Sequence, residues 1–96
     1  MNLLEEIRRK VRTSQYEYSL HAVDQSIQRR ITTKEVEQAF ATGEVIEDYP
    51  SDKYGPSCLI LGSTSAGRYL HVHCTHPTSD KVKVITLYEP DPNEMD

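Results

Sequence analysis

The spacing of apolar residues changes once along this chain, at Gly43, and that change limits the available folds more than any other feature. Before Gly43 apolar residues recur every three or four positions, the repeat of helices with one buried stripe. After it they gather in short runs, the mark of strands. Leu3, Leu4, Ile7 and Val11 outline a first helix, with Glu5, Glu6, Arg8, Arg9 and Lys10 between them. Ser19 is a good N-cap for a second helix whose apolar positions are Leu20, Val23 and Ile27. Thr32 opens a third. Thr32 and Glu35 have capping-box spacing, Val36, Ala39 and Phe40 supply the apolar face, and Gly43 is expected to close the helix as its C′ residue.

Beyond Gly43, Val45, Ile46 and Tyr49 predict a strand that ends at Pro50, and residues 50–56 are rich in turn formers. Cys58 to Leu61 predicts a second strand. The turn from Ser63 to Gly67 returns the chain as a hairpin through Arg68 to Thr75. A loop over 75–81 leads to a last strand, Val82 to Tyr88, rich in β-branched residues. Pro90 and Pro92 stop it. The expected fold class is α+β, with two to three N-terminal helices packed on a roughly four-stranded antiparallel sheet. The chain has 96 residues, so one domain is expected over 1–90, followed by an acidic, frayed tail over 91–96.

Charge and apolar content narrow the function classes. The formal net charge is −4, but Glu89, Asp91, Glu94 and Asp96 account for it, and residues 1–88 hold 11 basic and 11 acidic groups. Nucleic-acid binders usually carry a basic excess or a basic face, so RNA binding would rest on a local patch. No apolar run reaches the 18 or so residues that span a bilayer, and the charged N-terminus lacks the apolar core of a signal peptide. Cys58 and Cys74 lie inside apolar strands and are expected to be buried free thiols in a reducing cytoplasm.

Two groups of residues could carry chemistry. His21, Gln25 and Arg29 are spaced to line one face of the second helix, turned away from Leu20, Val23 and Ile27. One reading is a solvated polar face. The other is a site: the helix N-terminus favours a neutral His21 able to accept a proton, and Arg29 could hold a phosphate oxygen. The run from His71 to His76 invites a metal reading. Strand alternation weakens it, because His71 and His73 share one face while Cys74 and His76 share the other. Tyr88, at the end of the last strand, is either a packed edge residue or a group that orients a phosphate. Lys53 and Arg68 are either solvated charges or contacts to a nucleic-acid backbone. Neither cysteine has the setting of a nucleophile, and no phosphate loop, zinc ribbon or nucleophile elbow is present.

An ordered set of short motifs carries a resemblance. Tyr18, Ser19, His21 and Ala22 are followed by Arg30-Ile31-Thr32, then by Gly43 to Pro50, Asp52-Lys53 and Pro56 to Leu59. Gly67-Arg68, Leu70-His71-Val72, Ile85-Thr86 and Tyr88 to Pro92 complete the set. Over roughly residues 16–92 the chain resembles a bacterial family known as a domain of unknown function. That family looks like a relative of the RelE-like and MqsR-like RNA-cleaving toxins. The chain departs from the family in having Gln25 where Arg is common and Arg30 where Gly is common.

The resemblance implies a RelE- or barnase-like fold and a metal-independent endoribonuclease toxin of a type II toxin–antitoxin system, with no cofactor. A base would take the ribose 2′-OH proton, cations would stabilise the phosphorane, and an acid would protonate the leaving 5′-oxygen. The expected catalytic residues are His21 and His71 as base and acid in either order, Arg29 to stabilise the phosphate and Tyr88 to orient it. Arg30, Lys53 and Arg68 are the expected substrate contacts. The implied partners are RNA, including messenger RNA on the ribosome, and a cognate antitoxin such as a small zinc-finger protein; no membrane is involved. A non-catalytic domain that pairs with a partner protein is the alternative. A metal protein built on His71 and His73 is a third reading.

Overall fold

Three helices and five strands follow in the order α1 (Leu3–Arg12), β1 (Tyr16–Tyr18), α2 (Leu20–Gln28), α3 (Thr33–Thr42), β2 (Glu44–Tyr49), β3 (Ser57–Ser63), β4 (Tyr69–Thr75) and β5 (Val82–Tyr88). The structure is a computed structural model and describes residues 2–53, 55–77 and 80–91. From Pro92 onward the expected acidic tail lies outside the described residues.

The class is α+β, but the sheet departs from expectation. It has five strands in the order β1-β5-β4-β3-β2, and β1 runs parallel to β5 while the other pairs are antiparallel. The extra strand is three residues long. Tyr16, Glu17 and Tyr18 pair with Val82, Lys83 and Val84. The roughly four-stranded antiparallel sheet is therefore corrected to a mixed five-stranded one.

Helix starts follow the caps. The Asn2, Ser19 and Thr32 side chains accept from the backbone N–H groups of Glu5, Ala22 and Glu35, and Glu35 returns the bond to Thr32 in a full capping box. Gly43 acts differently from the expected C′ residue. Its backbone is extended (φ −80°, ψ 174°), and its value lies in close approach. A Cβ there would sit 2.5 Å from the Ala39 carbonyl oxygen and 2.6 Å from Ile60 Cγ2.

Alternation on β3, β4 and β5 turns Cys58, Ile60, Leu70, Val72, Cys74, Val82, Val84 and Leu87 toward the helices. There they meet Ile7, Val11, Ala22, Ile31, Val36, Ala39 and Phe40 in one core. Cys58 and Cys74 face each other across β3 and β4 with sulfurs 3.9 Å apart, both buried and both free thiols.

Helix α2 packs the other way round from its apolar pattern. Only Ala22 is buried, while Leu20 is 86%, Ile27 70% and Val23 37% exposed. The helix runs along the edge of β5 beyond the end of β1. Ser19 Oγ donates to the Ile85 carbonyl at 2.7 Å, and the Leu87 N–H donates to Gln25 Oε1 at 2.9 Å. A strand edge offers backbone donors that need partners more than it offers apolar wall. Gln25 meets that need, so the middle of the polar face leans on the sheet while His21 and Arg29 stay exposed.

Candidate active site

The second face of the sheet carries the side chains that alternate with the core. Tyr49, Asp52, Leu59, His73, Thr86 and Tyr88 line a groove of about 360 Å³ there. The register explains the grouping: Leu59 pairs with His73, His73 with Thr86, and His71 with Tyr88. At one end of the groove His71 Nδ1 lies 3.2 Å from the Tyr88 hydroxyl, with the rings edge to face at a centroid distance of 5.2 Å. His71 and Tyr88, predicted as site residues from different strands, are thus in contact.

His73 completes the row. Its Nε2 lies 3.0 Å from Ser57 Oγ, and its ring stands edge to face with Tyr49 at 5.9 Å. Burial holds the His73 imidazole below its usual pKa, against an opposing pull from Asp52, so the ring is neutral at pH 7. Tyr49 donates to Glu47, and that bond raises its phenol pKa. Two carboxylates lie on this side, Glu47 on β2 and Asp52 in the loop after it, whereas Asp48 is opposite Cys58 and turns to the other face, where it binds His76 Nε2 at 2.6 Å. The groove therefore lies in an acidic surround.

His21 is exposed in the first turn of α2. Strand β5 lies between α2, which carries His21, and β4, which carries His71. Arg29 caps the C-terminus of α2 and is exposed. Gln25, between them, is the acceptor for Leu87 and serves the fold.

Arg68 is engaged within the fold. Its Nη2 donates to the Arg29 carbonyl at 2.7 Å and to Glu89 Oε1 at 2.6 Å, and its Nη1 donates to the Arg30 carbonyl at 3.0 Å and lies 3.3 Å from Glu35 Oε2. This guanidinium ties the α2–α3 turn to α3 and to the end of β5. Arg30 occupies that turn at φ 53°, the left-handed region that favours glycine, with its side chain exposed. Lys53 lies exposed in the loop after β2, next to Asp52.

The clasp has a pH signature. The bond from the Thr32 backbone, and after it Arg68, hold the Glu35 carboxyl below its ordinary pKa, and Arg68 does the same for Glu89. A lowered carboxylate pKa contributes stability that is whole above the unfolded value, about 4.3, and is lost as pH falls through the folded value. Stability is therefore expected to fall below about pH 4. Arg68→Ala should reduce it by about 1–3 kcal/mol at pH 7 and flatten that acid limb. Glu89 adds little because it is half exposed. Urea titrations of both proteins from pH 3 to 7 measure this.

Sequence reasoning missed Tyr49, Asp52, Leu59 and Thr86 as groove residues, and read His73 only as a metal ligand. One signal was present: alternation puts His71 and His73 on one face. Among the described residues no three His, Cys, Asp or Glu side chains converge as a metal site would require. The facing Cys58 thiol and burial push the Cys74 thiol upward, which suits a core residue. No helix among the described residues is long and apolar enough to cross a membrane.

The family model described as "Domain of unknown function (DUF4258)" matches residues 18–89. The match begins at the end of β1 and runs past Tyr88, so it takes in α2, α3, the rest of the sheet and the groove. Neither a curated protein nor a solved structure matches the chain.

Proposed function

The chain belongs to the DUF4258 family of domains of unknown function, and from that premise we propose that it is a metal-independent ribonuclease of the toxin–antitoxin kind. One observation carries the proposal: the His71–Tyr88 contact at the end of an open groove on the face of the sheet that the helices leave free. His71 on β4 and His21 on α2 act as the acid–base pair. Tyr88 orients the phosphate through its hydroxyl, and Arg29 stabilises the phosphorane charge. Arg30, beside Arg29, and Lys53, in the loop after β2, contact the RNA backbone. The carboxylates around the groove repel phosphate, so the scissile phosphate sits outside it, at the Tyr88 hydroxyl and toward Arg29. The chemistry needs the 2′-OH, so DNA of the same sequence stays intact.

The test is incubation of the purified protein with mixed RNA in excess EDTA, alongside His21→Ala. Cleavage by the wild type and a loss of two or more orders of magnitude in the variant are expected. His21 is exposed, so the variant keeps its fold. Full activity in His21→Ala would remove that residue from the site, and no cleavage by the wild type, on free RNA or on translating ribosomes, would sink the proposal.

A second reading has its own observation. Leu20, Val23 and Ile27 form an exposed apolar stripe on α2, the kind of surface that a partner protein covers. A toxin bound by its antitoxin would use such a stripe, and so would a domain that only binds. Because the stripe lies outside the core, Ile27→Asp should change stability by no more than about 0.5 kcal/mol. A thermal melt checks this, and a loss typical of a core residue would refute it.

A further inference from the structure

We propose that the groove beside His71 and Tyr88 is a nucleobase site and that the base it takes is guanine, seated against Tyr49 and Tyr88 with its N1–H and N2–H pair turned to the Asp52 carboxylate. The inference deepens the ribonuclease reading, which supplies RNA as the source of the base, but a free nucleotide tests it alone.

Three features of the groove point to a base. Its volume of about 360 Å³ is that of a small-molecule pocket rather than a packing defect. Its walls are rings: Tyr49, His73 and Tyr88, with Leu59 and Thr86 between them. Flat aromatic walls hold bases by stacking, whatever the base. The groove also lies one side chain away from His71, so a base seated in it leaves the attached ribose and phosphate near the proposed acid–base group.

The choice of guanine comes from the acid. Asp52 lines the groove, and its charge is felt at His73. An ionised carboxylate only accepts hydrogen bonds. Guanine presents two adjacent donors, N1–H and the 2-amino group, which match two carboxylate oxygens as a guanidinium does. Adenine and cytosine set one amino donor beside a ring nitrogen acceptor, and uracil sets its single N–H between two carbonyls. Each of these would turn a lone pair toward the carboxylate. The acidic surround points the same way, since it disfavours a phosphate in the groove and tolerates a neutral base.

The experiment is calorimetric titration of the full chain in EDTA with the 3′-monophosphates of guanosine, adenosine, cytidine, uridine and inosine. The guanosine nucleotide should bind about ten-fold or more tightly than the others. The inosine nucleotide, which keeps N1–H but lacks the 2-amino donor, should bind more weakly than the guanosine nucleotide and more tightly than that of adenosine. Asp52→Asn should remove the preference, and a thermal melt of the variant checks that it is folded. Equal binding of all five, no binding at millimolar concentration, or a guanine preference that survives in Asp52→Asn would overturn the proposal. Guanine-selective binding with RNA left intact would keep the base site and remove the ribonuclease reading. Cleavage with no guanine preference, in binding or at the cut ends, would do the reverse.

Discussion

Replacing His71 by Ala is expected to lower RNA cleavage in EDTA by about two to four orders of magnitude, the usual loss when a general acid or base is removed. The side chain lies on the free face of β4, half-buried, with the Tyr88 hydroxyl 3.2 Å from its Nδ1. The core side of β4 is held by Leu70, Val72 and Cys74, all fully buried, so the fold should survive the change. Tyr88→Phe keeps the ring contact and removes only the hydroxyl. Its expected loss is smaller, about ten-fold, the worth of one hydrogen bond. The pair of variants separates chemistry from packing. A pH–rate profile adds a second readout, because removing His71 should abolish one limb of a bell-shaped curve. Wild-type cleavage by His71→Ala would move the chemistry away from the groove.

Gly62→Ala should be the most damaging single methyl group in the chain. A Cβ at Gly62 would lie 2.0 Å from the Ala39 carbonyl oxygen, 2.6 Å from its carbonyl carbon and 2.7 Å from its Cα. All three are backbone atoms of α3, so no side chain can rotate away, and the helix itself must lift off β3. At Gly62 strand β3 lies directly against the Ala39 backbone of α3, and Val36, Phe40 and Ile60 belong to the core between this helix and the sheet. A cost of about 3 kcal/mol is expected, at the upper end for overpacking. For a domain of this size that is a fall in Tm of about 12–24 °C. Gly43→Ala meets the same helix at 2.5 Å and should behave alike. An unchanged melting temperature for Gly62→Ala would show that α3 is free to move.

Read residue by residue, the sequence determined the local events. Ser19 and Thr32 start helices because each cap is completed within three residues, by Ala22 N–H and by Glu35. The strands of the second half are legible because alternation repeats every two residues, and the same alternation put His71 and His73 on one face. Only the tertiary structure decided the rest, because the deciding partner is distant in the chain. Strand β1 is three residues long and exists through its pairing with Val82 to Val84, a parallel contact that leaves no local trace. The orientation of α2 was open for a related reason. An apolar stripe tells which side of a helix is apolar, but not whether any apolar wall remains for it. Here α1 and α3 already cover the sheet, and what is left for α2 is an edge whose Leu87 N–H needs an acceptor. Gln25 supplies it, and Leu20, Val23 and Ile27 stay outside. Arg68 reads as one more surface cation until the fold brings Glu35, Glu89 and two carbonyls around it. Tyr49, Asp52 and Leu59 become neighbours of His73 and Tyr88 only through the strand register, a long-range choice made by the core on the other face of the sheet.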